Sequence, residues 1–297
     1  MNSGYGKQDK VWAWLLLFPA VASVFSLLFV PVVWTLGAAF TDLHLFRIGV
    51  PTSFVGFANV TKLLSHQAFW RTVKNTLVIT GVAVPLEICI GLLVSVCLNT
   101  ITRGKKFFRT WFLLPLMLSP VIVSIVIGKM MFQEDIGPIN ELLRYLGFKG
   151  IKWFTDGSWA MAAIVIVEVW HSSAFMILML TAGLLSIPED LLEAASVDGA
   201  DGVQGFWFIT LPLLVPILAT AVLIRTLDTL KIADIVFVMT GGGPGQATET
   251  VSMAVLRAGV KGGDLAFAAS QAYILFIMML LFGGGFLYLS RRSIPRV

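Results

Sequence analysis

The sequence predicts an all-α integral membrane protein with six transmembrane helices. Two observations carry that expectation. Of 297 residues, 57% are hydrophobic and only 13% are charged, with a mean hydropathy of +0.88, against about 25% charged residues in soluble domains. Six windows also meet or approach the roughly 20 consecutive apolar residues that a helix needs to cross a bilayer.

The first window, 11–41, is charge-free. Lys7 and Lys10 before it and Gly37-Ala38-Ala39 near its end imitate a signal peptide, but signal cores run about 7 to 15 residues, so a retained helix is expected. Window 75–98 carries Glu87 alone, 110–132 carries Lys129 alone and 159–187 carries Glu168 alone, while 203–224 and 265–290 are charge-free. The expected organisation is a tail over 1–10, a first helix over 11–41, a loop over 42–74, a core of five helices over 75–290 and a tail over 291–297. Cys89 and Cys97 fall on one helix, about 12 Å apart at 1.5 Å per residue, too far for a disulfide.

Orientation follows from short basic segments. Arg103, Lys105, Lys106 and Arg109, the tail residues Arg291, Arg292 and Arg296, and Lys7 with Lys10 place both termini in the cytoplasm of a cell membrane by the positive-inside rule. The loop over 42–74 is then outside, and its Phe54-Val55-Gly56-Phe57-Ala58-Asn59 and Phe69-Trp70 stretches read as aromatic residues at headgroup level. In the second outside loop, Gly137-Pro138 opens a short amphipathic stretch through Leu142, Leu143 and Leu146, which suits a helix lying along the interface.

The connection over 228–264 is long enough to hold structure of its own. Its Thr240-Gly241-Gly242-Gly243-Pro244-Gly245 run is no phosphate loop, because no Gly-Lys-Ser/Thr follows and Pro244 lacks an amide donor. No nucleotide-binding motif occurs elsewhere, so ATP, if used, is bound by another subunit.

The link between the fourth and fifth windows concentrates five carboxylates, Glu189, Asp190, Glu193, Asp198 and Asp201. The positive-inside rule does not explain a cytoplasmic link without basic residues. Ser186-Ile187-Pro188-Glu189 has capping-box spacing, Gly199 can end a helix in the left-handed conformation, and Asp201-x-x-Gln204 offers a second cap. The expectation is a short helix, a sharp turn and the start of a membrane helix. Small residues at Ala194, Ala195, Gly199 and Ala200 would let another protein approach, with Glu193 offering charge to an Arg or Lys.

Glu193-Ala194-Ala195, Asp198-Gly199-Ala200 and Ile209-Thr210-Leu211-Pro212 resemble the EAA signature of permease subunits in binding-protein-dependent ABC importers. Phe54 to Asn59 with Phe69-Trp70, Asn75-Thr76-Leu77, and Thr240 to Pro244 with Thr248-Glu249-Thr250 are similar to the maltose-type carbohydrate permeases. The resemblance implies the type I importer permease fold, with a coupling helix at about 187–200 seated in a cytoplasmic ATPase. It implies that Glu193, Ala194, Ala195, Asp198, Gly199 and Ala200 form that contact. The implied partners are a second homologous permease, two ATPase copies and an extracytoplasmic sugar-binding protein, besides membrane lipid; no nucleic acid is expected. ATP and Mg would be bound by the ATPase and no cofactor by this chain. The binding protein would face the loop holding Thr240, Gly241, Gly242, Gly243 and Pro244. The family often has Lys or Gly after the fourth-helix Trp, where this chain has His171, Ser172 and Ser173 after Trp170, a difference that touches substrate choice.

Ionisable residues inside a membrane cost about 2.5 to 3.5 kcal/mol at mid-helix and are functional candidates. Glu168, Trp170, His171, Ser172 and Ser173 therefore stand as substrate-path candidates, since sugars offer hydroxyls and an apolar ring face; helix–helix contact is the alternative. Gln271 and Tyr273 are weaker candidates. Glu87 is expected to pair with Lys129, and Arg225, Asp228 and Asp234 to form ion pairs. Pro212 and Pro216 should kink the fifth helix, and Gly283-Gly284-Gly285 reads as a packing site. The expected function is ATP-driven carbohydrate import by alternating access, with a glycerol phosphate or another polyol as the alternative cargo. A membrane enzyme would need a catalytic cluster that His44, His66 and His171 do not form, and a proton-coupled carrier would rely on Glu87 or Glu168.

Overall fold

A computed structural model describes residues 7–293. Residues 1–6 and 294–297, parts of the two expected tails, lie outside the described residues. Among those described there is no strand, only two isolated β-bridges. Five helical stretches are long and apolar enough to cross a membrane: Trp14–Ala39, Gln67–Thr100, Gly157–Leu185, Gly202–Met239 and Leu265–Ser290. A sixth span is available only if Lys105–Met117 and Pro120–Met130 count as one, and these meet at 95°.

The third predicted window is thus not one straight helix. Pro115 and Pro120 remove two amide donors and crowd the residue before each. Leu118 and Ser119 take extended backbone, with ψ of 141° and 138°, and the chain turns there. Apolar length was the right signal for a span and the wrong one for its shape.

The chain divides into two compact units, Met1–Ser65 with Val255–Tyr273 and His66–Ala254 with Ile274–Val297. In the first, α1 (Lys7–Ala39) exposes apolar side chains on every side from Trp14 to Leu36, the pattern of a helix solvated by lipid. Only its end is covered, where Ala38 and Ala39 pack with Ala269 and Leu43. The loop that follows is tied down by short polar contacts. Asp42 accepts the Ser53 hydroxyl and amide, both at 2.7 Å, and these bonds hold its carboxyl below the usual range. Asn59, at the start of α2 (Ala58–Ser65), donates to the Ala39 and Thr41 carbonyls. Phe54 and Phe57 remain exposed, as headgroup residues would.

The second unit is built on α3 (Gln67–Thr100) and α7 (Gly157–Leu185), which pack along one another. A Cβ on Gly91 would stand 2.6 Å from Met176 Cβ, so glycine sets the closest approach. Phe69, expected at headgroup level, is instead buried at the start of α3, while Trp70 beside it is exposed. Between α3 and α7 the chain forms α4 (Lys105–Leu113), a 3-10 turn Leu114–Met117, α5 (Pro120–Val123) running into a π-helical stretch Ser124–Met130, and α6 (Pro138–Tyr145). The predicted interface helix is α6, with Leu142 and Leu146 exposed beside it and Leu143 turned to the core. Buried Asn140 accepts from the Ile151 amide and the Trp153 indole and holds this loop closed.

After α7 come α8 (Glu189–Val197), α9 (Gly202–Gly205), a π-helical turn Phe206–Thr210 and α10 (Leu211–Leu230). The π turn sits where Pro212 cannot donate to the preceding turn, the expected site of a distortion. The long connection holds α11 (Asp234–Met239) and α12 (Val251–Leu256) before α13 (Leu265–Ser293). Of the three glycines read as a packing site, only Gly283 approaches another helix, at Leu227 and Leu223; a Cβ on Gly284 or Gly285 would meet nothing.

Candidate functional site

Three places in the second unit collect the residues singled out above. The acidic link is the first. Helix α8 starts at Glu189 after Pro188, and the Ser186 hydroxyl donates backward to the Gly183 carbonyl at 2.7 Å, so the expected Ser186 cap does not form. The C-terminal signal is as expected. Gly199 has φ of 87°, the Ala200 amide donates to Ala195 at 2.9 Å and the Gly199 amide to Ser196 at 3.2 Å, which together make a Schellman stop. Two residues on, Asp201 accepts from the Gln204 amide at 2.7 Å while the Gln204 side chain accepts from the Asp201 amide at 3.0 Å, a complete capping box.

No residue of α8 is buried. Leu191, Leu192 and Val197 are exposed, Val197 at 86%, and Glu193 enters no ion pair among the described residues. Behind the helix lies a cleft of about 300 Å³ lined by Leu192, Ala195, Ala200 and Phe206 with Val96 and Leu184 of the spanning helices. Nearby, a Cβ on Gly183 would stand 2.6 Å from Leu214. The link is therefore a preformed, exposed helix on a rigid base, joined closely to α7 and α10.

The second place is inside the apolar spans. Arg225 of α10 donates through Nε to Glu87 Oε2 at 2.8 Å, and through Nη2 to Glu87 Oε1 at 3.1 Å, Glu168 Oε1 at 2.6 Å and Thr229 at 3.1 Å. Nη2 has two hydrogens for those three acceptors, so at least one bond is shared. Ser172 donates to Glu168 at 3.1 Å. Glu87, Glu168 and Arg225 are all buried, and one guanidinium faces two carboxylates from two other helices. Asp228, half-exposed, lies 3.9 Å from Arg225 and pairs with Lys231 at 2.9 Å.

The expected Glu87–Lys129 pair is therefore wrong: Glu87 takes Arg225, and Lys129 is exposed and forms no ion pair among the described residues. A guanidinium can hold two carboxylates at once in a fixed fork, which an ammonium on another helix cannot match. Arg225 lay one residue beyond the charge-free window, and two lone buried carboxylates were the signal that some helix had to supply a cation.

The α7 candidates divide by helical face. Glu168 and Ser172 belong to the ion cluster. His171 Nε2 is 3.3 Å from the Leu118 carbonyl at the bend, and Ser173 donates to Val169 within its own helix. Trp170 and Ser173 line a different, apolar groove with α3 and α4. In the other unit, Gln271 is buried with no hydrogen-bond partner for Oε1, and the Tyr273 hydroxyl donates to the Val32 carbonyl.

The third place is the glycine run. Thr240 and Thr248 hydroxyls are 2.8 Å apart, the Gly242 amide donates to Thr240, and Thr248 donates to the Gly243 carbonyl at 2.7 Å. Gly241, Gly242 and Gly245 have positive φ, the reason for glycine there. Asn75 donates to Gln246 and Glu249 carbonyls, and the Thr76 hydroxyl accepts from the Val251 amide. Asn75-Thr76, Thr240 to Pro244 and Thr248 to Thr250, distant in sequence, thus form one knot. Sequence spacing did not suggest that Asn75 is its pin.

The family model described as binding-protein-dependent transport system inner membrane component matches residues 57–297. The sulfoquinovosyl glycerol transport system permease protein SmoG of Agrobacterium fabrum is 37% identical over 92% of this chain and 88% of its own. The trehalose/maltose transport system permease protein MalF of Thermococcus litoralis is 35% identical over 91% and 90%. Two crystal structures of a bacterial alginate ABC transporter, one in complex with an alginate pentasaccharide-bound periplasmic protein, superpose with a TM-score of 0.83 at 23% identity. They cover 96% and 97% of this chain and 96% of theirs.

Proposed function

The chain belongs to the binding-protein-dependent transport system inner membrane components, and from that premise we propose that it is the permease subunit of an ATP-driven importer whose cargo is a carbohydrate. The observation that carries the reading is the largely exposed α8, with no buried residue, stopped by Gly199 and followed by the Asp201 cap, its Leu191 and Val197 exposed and its Glu193 in no ion pair among the described residues. In this reading α8 is the coupling helix. It seats in a cytoplasmic ATPase that binds ATP and Mg, with Glu193 meeting a basic residue there and Ala194, Ala195 and Ala200 allowing close approach. A second homologous permease, two ATPase subunits and an extracytoplasmic binding protein complete the machine, and both termini of this chain face the cytoplasm. The binding protein meets the Thr240 to Pro244 knot.

Closure of the ATPase dimer pulls on α8. The close contact of Gly183 with Leu214 passes that motion to α7 and α10, which carry Glu168 and Arg225. The two helices then rock together between inward-open and outward-open states. Trehalose/maltose and sulfoquinovosyl glycerol are the cargoes named for two relatives, which supports a sugar. Glycerol phosphate, the cargo named for other relatives at 32% identity over 78% of this chain, stands as the second reading.

The test is reconstitution of the assembled importer in vesicles with its binding protein. Expected is ATP-dependent sugar uptake that Glu193→Ala reduces by about tenfold, the loss of a charge-assisted contact of about 1.4 kcal/mol, while binding-protein docking stays intact. Uptake by the purified chain alone, driven by a proton gradient, would instead make it a secondary carrier.

A further inference from the structure

The glycine run holds one residue whose backbone glycine would suit better. Gly241, Gly242 and Gly245 have positive φ, and so does Gln246, at 69°, the one non-glycine residue of that kind among the described residues. A left-handed backbone strains any side chain, and glycine at this position would be free of that strain. Within the chain the Gln246 side chain has no use. It is exposed and makes no hydrogen bond among the described residues, while the Gln246 carbonyl accepts from the Asn75 side chain and the Glu249 amide, both at 3.3 Å. A strained residue held in place by its surroundings marks a contact site more often than a spacer.

The loop is pinned from two sides. Asn75 of α3 holds the Gln246 carbonyl, and a Cβ on Gly157, the first residue of α7, would stand 2.7 Å from the Cβ of Ala247. Gln246 therefore keeps a fixed place at the ends of α3 and α7. One turn before Asn75 on the same face of α3 lies Arg71, and Lys74 is its neighbour in sequence. Both are exposed, Arg71 reaches Gln67 of its own helix at 3.5 Å, and neither forms an ion pair among the described residues. Asp156, beside Gly157, spends its carboxylate on the Ser158 and Trp159 amides. The patch keeps an excess of positive charge. With both termini in the cytoplasm this is the outside end of α3, where the positive-inside rule gives no reason for cations.

Lipid headgroups would take the two cations but have no need of a neutral amide on a strained backbone. A folded protein surface bearing carboxylates answers both, because a glutamine amide offers an acceptor and two donors to a main-chain edge. We propose that Gln246, Arg71 and Lys74 form the contact by which the extracytoplasmic binding protein recognises this subunit, its acidic side chains meeting the two cations and its main chain meeting the Gln246 amide. The inference rests on the importer reading above and adds to it the residues and the charge of the docking surface.

The experiment measures docking of the fluorescently labelled, sugar-loaded binding protein to the assembled importer in phosphatidylcholine nanodiscs. Gln246→Gly relieves the strain and removes only the side chain, so the complex assembles as before and docking weakens by about fivefold, as for the loss of a neutral hydrogen bond. Arg71→Gln/Lys74→Gln slows association by roughly tenfold at low salt. That difference vanishes at about 1 M salt, where charges are screened beyond about 3 Å. A benzophenone side chain introduced at position 246 captures the binding protein. Docking of Gln246→Gly equal to that of the parent, low-salt association unmoved in the double variant, or capture of lipid or of the second permease from position 246 would each overturn this inference and leave the importer reading standing. Failure of the parent importer to dock the binding protein at all would remove both.

Discussion

Arg225 and Glu193 are both charged residues of helices in the same unit, and the chain treats them in opposite ways. Arg225 is buried and meets two carboxylates at 2.8 and 2.6 Å. Glu193 stands exposed on a helix with no buried residue. A buried charge must find its partner inside the same chain, because leaving it alone is costlier than any single fold contact can offset. An exposed charge beside exposed Leu191 and Leu192 costs little while it waits for a partner from elsewhere. The comparison separates what holds this permease together from what it leaves exposed, the surface on which the proposed ATPase contact rests.

The sharpest way to break the comparison is to unbalance the buried cluster. Arg225→Met leaves Glu87 and Glu168 facing each other in an apolar span, and the expected loss is about 3 to 5 kcal/mol of stability, seen as aggregation in fluorescence-detected size exclusion. Adding Glu87→Gln and Glu168→Gln to Arg225→Met removes the stranded charge and should restore a monodisperse peak. Glu193→Ala, by contrast, should change the melting temperature little, its effect lying within about 0.5 kcal/mol. If Arg225→Met alone is as stable as the parent protein, the cluster is not a structural clip.

Two glycines sharpen the same contrast at lower cost. Gly91 has ordinary helical backbone but no room, since a Cβ would stand 2.6 Å from Met176; Gly199 has open space but φ of 87°. Gly91→Ala must part α3 from α7, an overpacking cost of about 1 to 3 kcal/mol. Gly199→Ala pays only local left-handed strain of about 1 kcal/mol, and should lower transport more than it lowers the melting temperature. Measured together, the reverse order in melting temperature would show that the α3–α7 contact is softer than its geometry implies.

These pairs also show which parts of the molecule the sequence announces. Gly199, Asp201 and Gln204 act through neighbours within a few residues, so their roles can be read from spacing, as can the membrane spans from apolar length. The Arg225 cluster joins residues far apart in the chain, and spacing carries no information about which helices face each other; only the need to neutralise Glu87 and Glu168 hinted at it. The role of Asn75 was equally hidden, because an amide inside a helix gives no local sign that it reaches the carbonyls of Gln246 and Glu249, more than 170 residues on. The bend near Ser119 was written in Pro115 and Pro120, but a long apolar run outweighed them. Ser186 failed for a local reason: its hydroxyl reaches the Gly183 carbonyl one turn back, and that bond competes with the cap.

The smallest expected effect tests whether the base of α8 is as rigid as its hydrogen bonds suggest. Asp201→Ala removes the bond to the Gln204 amide and leaves the Gln204 side chain to hold the Asp201-position amide alone, a loss of about 1 kcal/mol. Global melting should hardly move, because the segment is exposed and contributes no buried side chain. Hydrogen exchange at the amides of 202–205 should quicken by roughly fivefold, the kinetic expression of that local loss, while exchange in α7 is unchanged. If coupling requires a stiff base, ATP-dependent uptake falls with the faster exchange although α8 itself is untouched; if uptake is unaffected, the motion reaches α7 through Gly183 and Leu214 and not through the start of α9.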